Sequence, residues 1–415
     1  MLANYTKLKS PEQRGIIERK VRFKVITPVF GGGVSNASTE TERHLKEPDR
    51  ITPIRGAAIR GQLRFWWRVL QNETDHKKLW EAEKRIWGMA SEPGAVSIKV
   101  QASTSWEEVP VFTCERKGTR WQVKPIGGMQ AIAYGAFPLQ PPKEELEKRD
   151  APKPGVLHRY NAECELELRF PIHLREEIEN AVNAWLLLGG VGGRTRRGFG
   201  AISCDELSVD AVLWLQKRGF SLQATAQTWR SAEEAWKFGL EKLQKFRQGQ
   251  QVGRNQGSDP SKPKKSGRSR WSEPEAIRKL VPLMANPKYS QRLVGVDKFP
   301  RACFGMPINF HFLSDPQMGK FRLKPVGFER LASPLIIRPY RAPDGKYGCL
   351  AALLPYRELD KVQLELIGEG GPWEVNPALT AADAQSLKSP LRGEPDPLLA
   401  FLNFFQRSQA TEIIP

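Results

Sequence analysis

The segment from Glu163 to Gly200 constrains the fold more than any other part of the chain. Cys164, Leu166, Leu168 and Phe170 alternate with Glu163, Glu165, Glu167 and Arg169, a period of two that turns one row of side chains to a core and the other to water. Pro171 ends the run, because proline has no amide to continue a ladder. From Glu176 to Leu188, Ile178, Val182 and Trp185 recur at helical spacing. Gly189 and Gly190 stop that helix, and a glycine-rich stretch leads to an expected strand from about Phe199 to Val209.

The first part of the chain supplies the matching elements. From Lys20 to Phe30, Val21, Phe23 and Val25 face a core while Arg22 and Lys24 form a basic outer face. Gly31, Gly32 and Gly33 follow, then a long polar loop. Thr52 as N-cap and Pro53 at the first helical position predict a helix start. Ile59, Leu63, Trp66 and Leu70 then form the core stripe, with Arg60, Arg64 and Trp67 on the neighbouring one. Arg55 falls in the expected first turn, where free backbone amides favour an anion. Val96, Ile98 and Val100 mark a second strand, and the Gly- and Pro-rich stretch from Gly127 to Pro154 reads as an inserted arm. Strand, helix, strand, strand, helix, strand is the βαββαβ order of ferredoxin-like, RRM-like folds.

A chain of 415 residues is long for one core, so two domains are expected, over 1–212 and 213–415. The second opens with a helical stretch from Ser221 to Phe246 and a segment over about 248–272 that is poor in apolar residues and rich in Gly, Ser, Pro, Lys and Arg. That composition buries no core and predicts a flexible connection. Strands follow at about Ile308–Leu313, Pro334–Arg338, Cys349–Leu354 and Val362–Ile367, with a helix around Leu398–Phe405. The fold class is α+β.

Composition narrows the partner. Lys and Arg number 64 against 46 Asp and Glu, a formal charge of +18. Such an excess favours polyanions, since each cation that meets a phosphate releases a counterion. The five cysteines show no CxxC pair and read as reduced, mostly buried thiols. No metal site or cofactor is expected. No apolar run is long enough to span a bilayer and the first residues lack a signal-peptide pattern, so the expectation is a cytoplasmic protein with no membrane partner.

Six of the twelve residues from Gly189 to Gly200 are glycine, and Arg194, Arg196 and Arg197 lie among them. Gly192, Gly193 and these arginines suggest a phosphate cradle of backbone amides and guanidinium groups. A P-loop is excluded, because Phe199 and Gly200 stand where Lys and Ser or Thr are required. The dinucleotide fingerprint fails too, since GVGGRT ends on Thr195 and follows a helix. Lys24, Gly31, Gly32, Gly33, Arg55, Arg60, Arg64 and Trp67 complete the candidate RNA-binding set. The histidines are isolated, and His44 with nearby Asp49 is the weak candidate for acid/base work. The chain therefore reads as a binding protein without catalysis of its own; the competing reading is a metal-independent endoribonuclease using His44.

TPVFGGG, TPIRGAAIRGQLRFWWR, GGVGGRTRRGFG and SPLIIRP resemble the RAMP superfamily of CRISPR proteins, and within it most resemble the first Cmr subunit of type III-B effector complexes. The resemblance implies two ferredoxin-like domains, each with a glycine-rich loop. It implies a structural subunit that holds guide RNA (crRNA) and target RNA near the guide 3′ side for antiviral RNA silencing, beside other Cmr-type RAMP subunits. By motif position Arg55, Arg60, Arg64 and Trp67 would face RNA, with Gly192, Gly193, Arg194, Arg196 and Arg197 as the loop. The second half departs from the pattern, offering VGVDKFPRACFGMP where a second glycine-rich loop is expected. The first helix also lacks the histidine of guide-processing relatives.

Overall fold

Two strands far apart in sequence, each with one apolar row, meet in one sheet. β1 (Ile16–Lys24) is followed by α1 (Gly56–Leu70), α2 (His76–Trp87) and β2 (Ser97–Ala102). An excursion of β3 (Trp106–Pro110), β4 (Phe112–Lys117), β5 (Arg120–Pro125), α3 (Gln130–Gly135) and β6 (Val156–Tyr160) precedes β7 (Glu163–Pro171) and α4 (Arg175–Leu188). β7 lies between β1 and β2, antiparallel to both, with Phe23 opposite Cys164 and Ile98 opposite Leu168. Val21, Phe23, Leu166, Leu168 and Phe170 are buried, each contributing about 1.5–3 kcal/mol by leaving water.

This computed structural model describes residues 15–31, 54–102, 105–160, 163–203, 209–259, 261, 266–287, 294–312, 315–356 and 359–410. The chain divides into two units: Met1–Arg218, Thr228–Lys237 and Ile337–Cys349 form the first, and Gly219–Gln227, Phe238–Ile336 and Leu350–Pro415 the second. The first unit thus extends a few residues past 212 and takes back two later segments.

The outer face of the first sheet is not the basic stripe expected of β1. Register sets β1 against the acidic row of β7, so Lys24 pairs with Glu163 at 2.9 Å and Arg22 with Glu165 at 3.2 Å. The bond from Lys24 holds the Glu163 carboxyl below its ordinary range. Lys24 is thus one member of a cross-strand charge ladder.

Further expectations change in the first unit. The helix starts at Gly56 with Arg55 as its N-cap, in extended conformation (φ −91°, ψ 140°) and without a capping side chain; Thr52 and Pro53 lie outside the described residues. Among the described residues of the expected strand Phe199–Val209, Ala201 bridges Gly190 and Ile202 bridges Val25, and α5 (Val209–Gln216) begins at the last residue expected of that strand. Left-handed turns at Gly198 and Gly200 keep the chain from running extended there. The expected arm packs inward, burying Ala131, Ile132, Ala133, Ala136 and Leu139.

The chain continues through β8 (Ser221–Ala224), α6 (Ala232–Gln248), β9 (Arg254–Gln256), β10 (Ser266–Ser269), α7 (Glu273–Leu280), β11 (Ile308–His311) and β12 (Lys320–Pro325). β13 (Leu335–Arg341), β14 (Tyr347–Leu353), β15 (Leu364–Ile367), β16 (Trp373–Val375), α8 (Ala381–Leu387) and α9 (Pro397–Ala410) complete it. The second unit has a sheet of order β11-β12-β15-β16 over a core of Ile277, Phe310, Met318, Phe321, Leu323, Leu364 and Leu366.

Only the latter part of the expected helix 221–246 is helical, because Ser221–Ala224 pairs as a strand with residues 350–353. Within 248–272, expected to be flexible, Arg254–Gln256 and Ser266–Ser269 form the antiparallel β9–β10 pair. Trp271 is buried at its end and donates its indole N–H to the Arg247 carbonyl at 3.0 Å. One tryptophan supplies the apolar burial that the average composition lacks. The molecule is mixed α+β, and among the described residues no helix is long and apolar enough to cross a membrane.

Candidate nucleic-acid interface

The two glycine-bearing motifs of the first unit are laced together by the backbone. Thr27 donates its hydroxyl to the Gly198 carbonyl at 2.6 Å and accepts the Ala201 N–H at 2.8 Å. The Ile26 N–H meets Ala201 O at 2.7 Å, Gly200 N–H meets Pro28 O at 2.9 Å, and Gly193 N–H meets Phe30 O at 2.8 Å. The glycines serve this packing. At Gly200 (φ +58°) a Cβ would stand 2.0 Å from Val191 O, and at Gly198 (φ +76°) it would stand 2.6 Å from the Trp236 ring. The close approach expected for a ligand is made at these positions by the protein itself.

Arg338, in the SPLIIRP segment, lies beneath the loop. It is 1% exposed, and donates to Gly189 O at 2.9 Å, to Leu186 O at 3.4 Å and to Ile202 O. A guanidinium at the end of α4 satisfies carbonyls that have no helical partner and complements the helix dipole. Trp236 adds a bond from its indole N–H to Arg197 O at 2.6 Å. The loop is thus held from below.

Two of its arginines lie over aromatic rings. Arg194 takes a left-handed conformation (φ 57°). Its guanidinium carbon lies 4.6 Å from the Phe137 ring centre and 5.6 Å from that of Phe30, and Nη1 donates to Gly135 O at 2.9 Å. Arg196 lies 5.0 Å from the ring centre of Phe65 on α1, and burial lowers its pKa below the ordinary arginine value. Arg197 is half-buried and donates to Arg196 O at 3.2 Å. Phe137 is 59% exposed. Alternating guanidinium and aromatic faces can contact both phosphates and bases.

The first helix contributes differently from expectation. Trp67, assigned to the RNA side, is 2% exposed and donates its indole N–H to Glu177 of α4 at 2.8 Å. α1 is covered on more than one flank, so Trp67 in the row next to the Trp66 stripe is core as well. Arg64 donates Nε to Glu83 Oε1 at 2.8 Å and Nη1 to Gly88 O at 3.3 Å; Arg68 takes the other oxygen of Glu83 at 2.8 Å. Glu83 is buried, so Arg64 has a structural partner that desolvates with it. Arg60 donates to Trp87 O at 3.3 Å. Arg55 is half-buried at the helix start.

The loop arginines and Gly192 and Gly193 therefore lie with Phe30 and Gly31, while Arg64, Trp67 and Lys24 are engaged elsewhere. Gly32, Gly33 and His44 fall outside the described residues. Sequence reasoning missed Phe65 and Phe137. Phe65 adjoins Trp66 within the helix motif, but Phe137 carries no periodic signal. Among the described residues no group of His, Cys, Asp or Glu could hold a metal ion.

Residues 22–203 match the model of the RAMP superfamily. No curated protein matches the chain. Among solved structures, the chain is similar to Cmr1 from Pyrococcus furiosus in its apo form, with 14% identity over 90% of this chain and 96% of that one and a TM-score of 0.43. It is similar to a chain of the type III-B Cmr-beta complex bound to cognate target RNA, with 10% identity, 94% and 100% coverage and a TM-score of 0.40. A further Cmr-beta structure, bound to cognate target RNA and AMPPnP in the presence of ssDNA, gives 12% identity, 94% and 99% coverage and a TM-score of 0.37.

Proposed function

We propose that this chain, a RAMP-superfamily protein over residues 22–203, is an RNA-binding structural subunit of a type III-B CRISPR effector complex. In this reading it holds guide RNA and target RNA near the guide 3′ side, in the cytoplasm, beside other RAMP subunits, and leaves cleavage to them. The observation that carries it is the surface where Arg194 and Arg196 of the glycine-rich loop meet the rings of Phe30, Phe65 and Phe137. Net charge of +18 supports the same partner.

A ferredoxin-like reading of the first unit is supported by its order. The Val25–Ile202 bridge puts the chain after α4 beside β1, giving the sequence 202, β1, β7, β2 across the sheet. We extend that reading to the second unit as the family pattern implies.

The test is titration of labelled single-stranded RNA into the full chain at rising salt, with the parent and with Arg194, Arg196 and Arg197 changed to Ala. Log affinity is expected to fall by roughly 0.7 per phosphate contacted for each unit of log salt, and the triple variant to bind more weakly. Equal affinity of parent and folded variant overturns the assignment of the loop. Incubation with repeat-containing RNA without metal is expected to leave the RNA intact; metal-free cleavage would replace the structural reading with that of an endoribonuclease.

A further inference from the structure

We infer that the second unit carries a nucleotide-phosphate site of its own, in a cavity of about 610 Å³ between α6 and α9. Among the described residues, Lys245 near the end of α6, Arg392 on the loop before α9 and Arg407 near the end of α9 bring three cations to its wall, against one carboxylate, Glu394. Cations converging on a concave surface focus the field there and favour an anion of more than one charge. Among the described residues neither Lys245 nor Arg392 forms an ion pair, so an incoming phosphate displaces no carboxylate from them. Arg392 has φ +54° and is followed by Gly393 at φ +89°. A non-glycine residue rarely adopts that conformation, and such outliers cluster where a side chain is aimed at a ligand.

The rest of the wall suits a nucleoside. Phe404 is half-buried at the cavity and is steadied by Phe246, whose ring centre lies 5.4 Å away. A ring so held offers a stacking face to a base. Asn403 supplies both a donor and an acceptor, and Glu394 an acceptor, for the base edge. The volume lies within the range of roughly 300–1,000 Å³ found for small-ligand sites, larger than inorganic phosphate needs. Three cations beside an aromatic ring fit a nucleotide, whether free or as part of single-stranded RNA. The site uses no residue of the glycine-rich loop and goes beyond the function proposed above.

The test uses the full chain with three probes: AMP by calorimetry, and one short single-stranded RNA with and without a 5′ phosphate by fluorescence anisotropy. Lys245→Ala with Arg407→Ala is expected to weaken binding by about tenfold or more, as loss of charge-assisted bonds should, in protein that stays folded. Arg392→Gly, which suits the left-handed backbone, is expected to weaken it severalfold and keeps the test open if the double variant unfolds. Loss confined to AMP assigns the site to a free nucleotide; loss confined to the phosphorylated RNA assigns it to a strand end; loss on both RNAs assigns it to an internal nucleotide. Repeating the comparison in a Phe137→Ala background separates this site from the loop, because the difference persists there. Equal binding of all three probes by the parent and the folded variants, or no binding of any probe by the parent, overturns the inference.

Discussion

The indole N–H of Trp67 on α1 donates to a carboxylate oxygen of Glu177 on α4 at 2.8 Å, and the ring is 2% exposed. This bond turns a side chain that the helix pattern assigns to RNA into a tie between two helices. Trp67→Ala should destabilise the protein by about 3–5 kcal/mol, through a cavity and an unpaired carboxylate. Trp67→Phe should cost less, because most of the packing remains. Thermal melts and RNA titrations on the folded variants check this: Trp67→Phe is expected to bind RNA as the parent does, and a folded variant with weakened binding would return Trp67 to the interface.

Arg338 tests whether the loop depends on a residue far from it in sequence. Its removal leaves the carbonyls of Gly189, Leu186 and Ile202 without their donor. Arg338→Met is expected to destabilise by on the order of 3 kcal/mol or more. Arg338→Lys should recover little, because an ammonium cannot reproduce the planar fork. Urea midpoints measure the loss, and faster amide exchange over 189–202 would locate it. An unchanged midpoint for both variants would show that the buried guanidinium is dispensable.

Phe137 offers the cleanest probe of the interface. It is 59% exposed, so Phe137→Ala should stay within about 0.5 kcal/mol of the parent in stability. If the ring and the Arg194 guanidinium over it form one stacking platform, the same change should weaken single-stranded RNA binding by about 1–3 kcal/mol. The loop arginines are half-buried, so their joint replacement perturbs packing more than exposed residues would. Unchanged affinity would move the interface away from this face.

Burial pushes the Cys164 thiol up to about 11. The reactive thiolate is therefore scarce at neutral pH, and site-resolved mass spectrometry after alkylation should find Cys164 unmodified in folded protein and labelled in denatured protein. The sign follows for stability. The folded thiol holds its proton more tightly than the unfolded one, so its contribution is full below the ordinary value of 9.0 and is lost as pH rises through about 11. Rapid labelling of folded protein at neutral pH would contradict the burial of this side of β7.

The strand Glu163–Pro171 and helix Arg175–Leu188 were legible because each buries one face whose period survives in the residue order. The interlocking motifs were legible as a candidate loop for the same reason, since Gly192, Gly193 and the arginines lie in one short run. The outer face of β1 was legible only in part. Arg22 and Lys24 are basic as expected, but each meets a carboxylate from a distant strand. Arg22 and Glu165 stand 143 positions apart in the chain, and Lys24 and Glu163 are the next pair along the same ladder. Only the strand register brings them together.

The residue order by itself determined which segments can be strands or helices, where the glycines interrupt them and how much positive charge the chain carries, because period, backbone freedom and composition are local properties. Tertiary structure decided what each residue faces. Trp66 and Trp67 are neighbours in sequence and both are buried because α1 is covered on more than one flank. Gly198 and Gly200 are required by Trp236 and Val191 rather than by a ligand. Phe137, which no periodic pattern marks, comes to lie under Arg194. Burial and close approach depend on which distant atoms fill the space beside a side chain, and that is settled only when the elements pack.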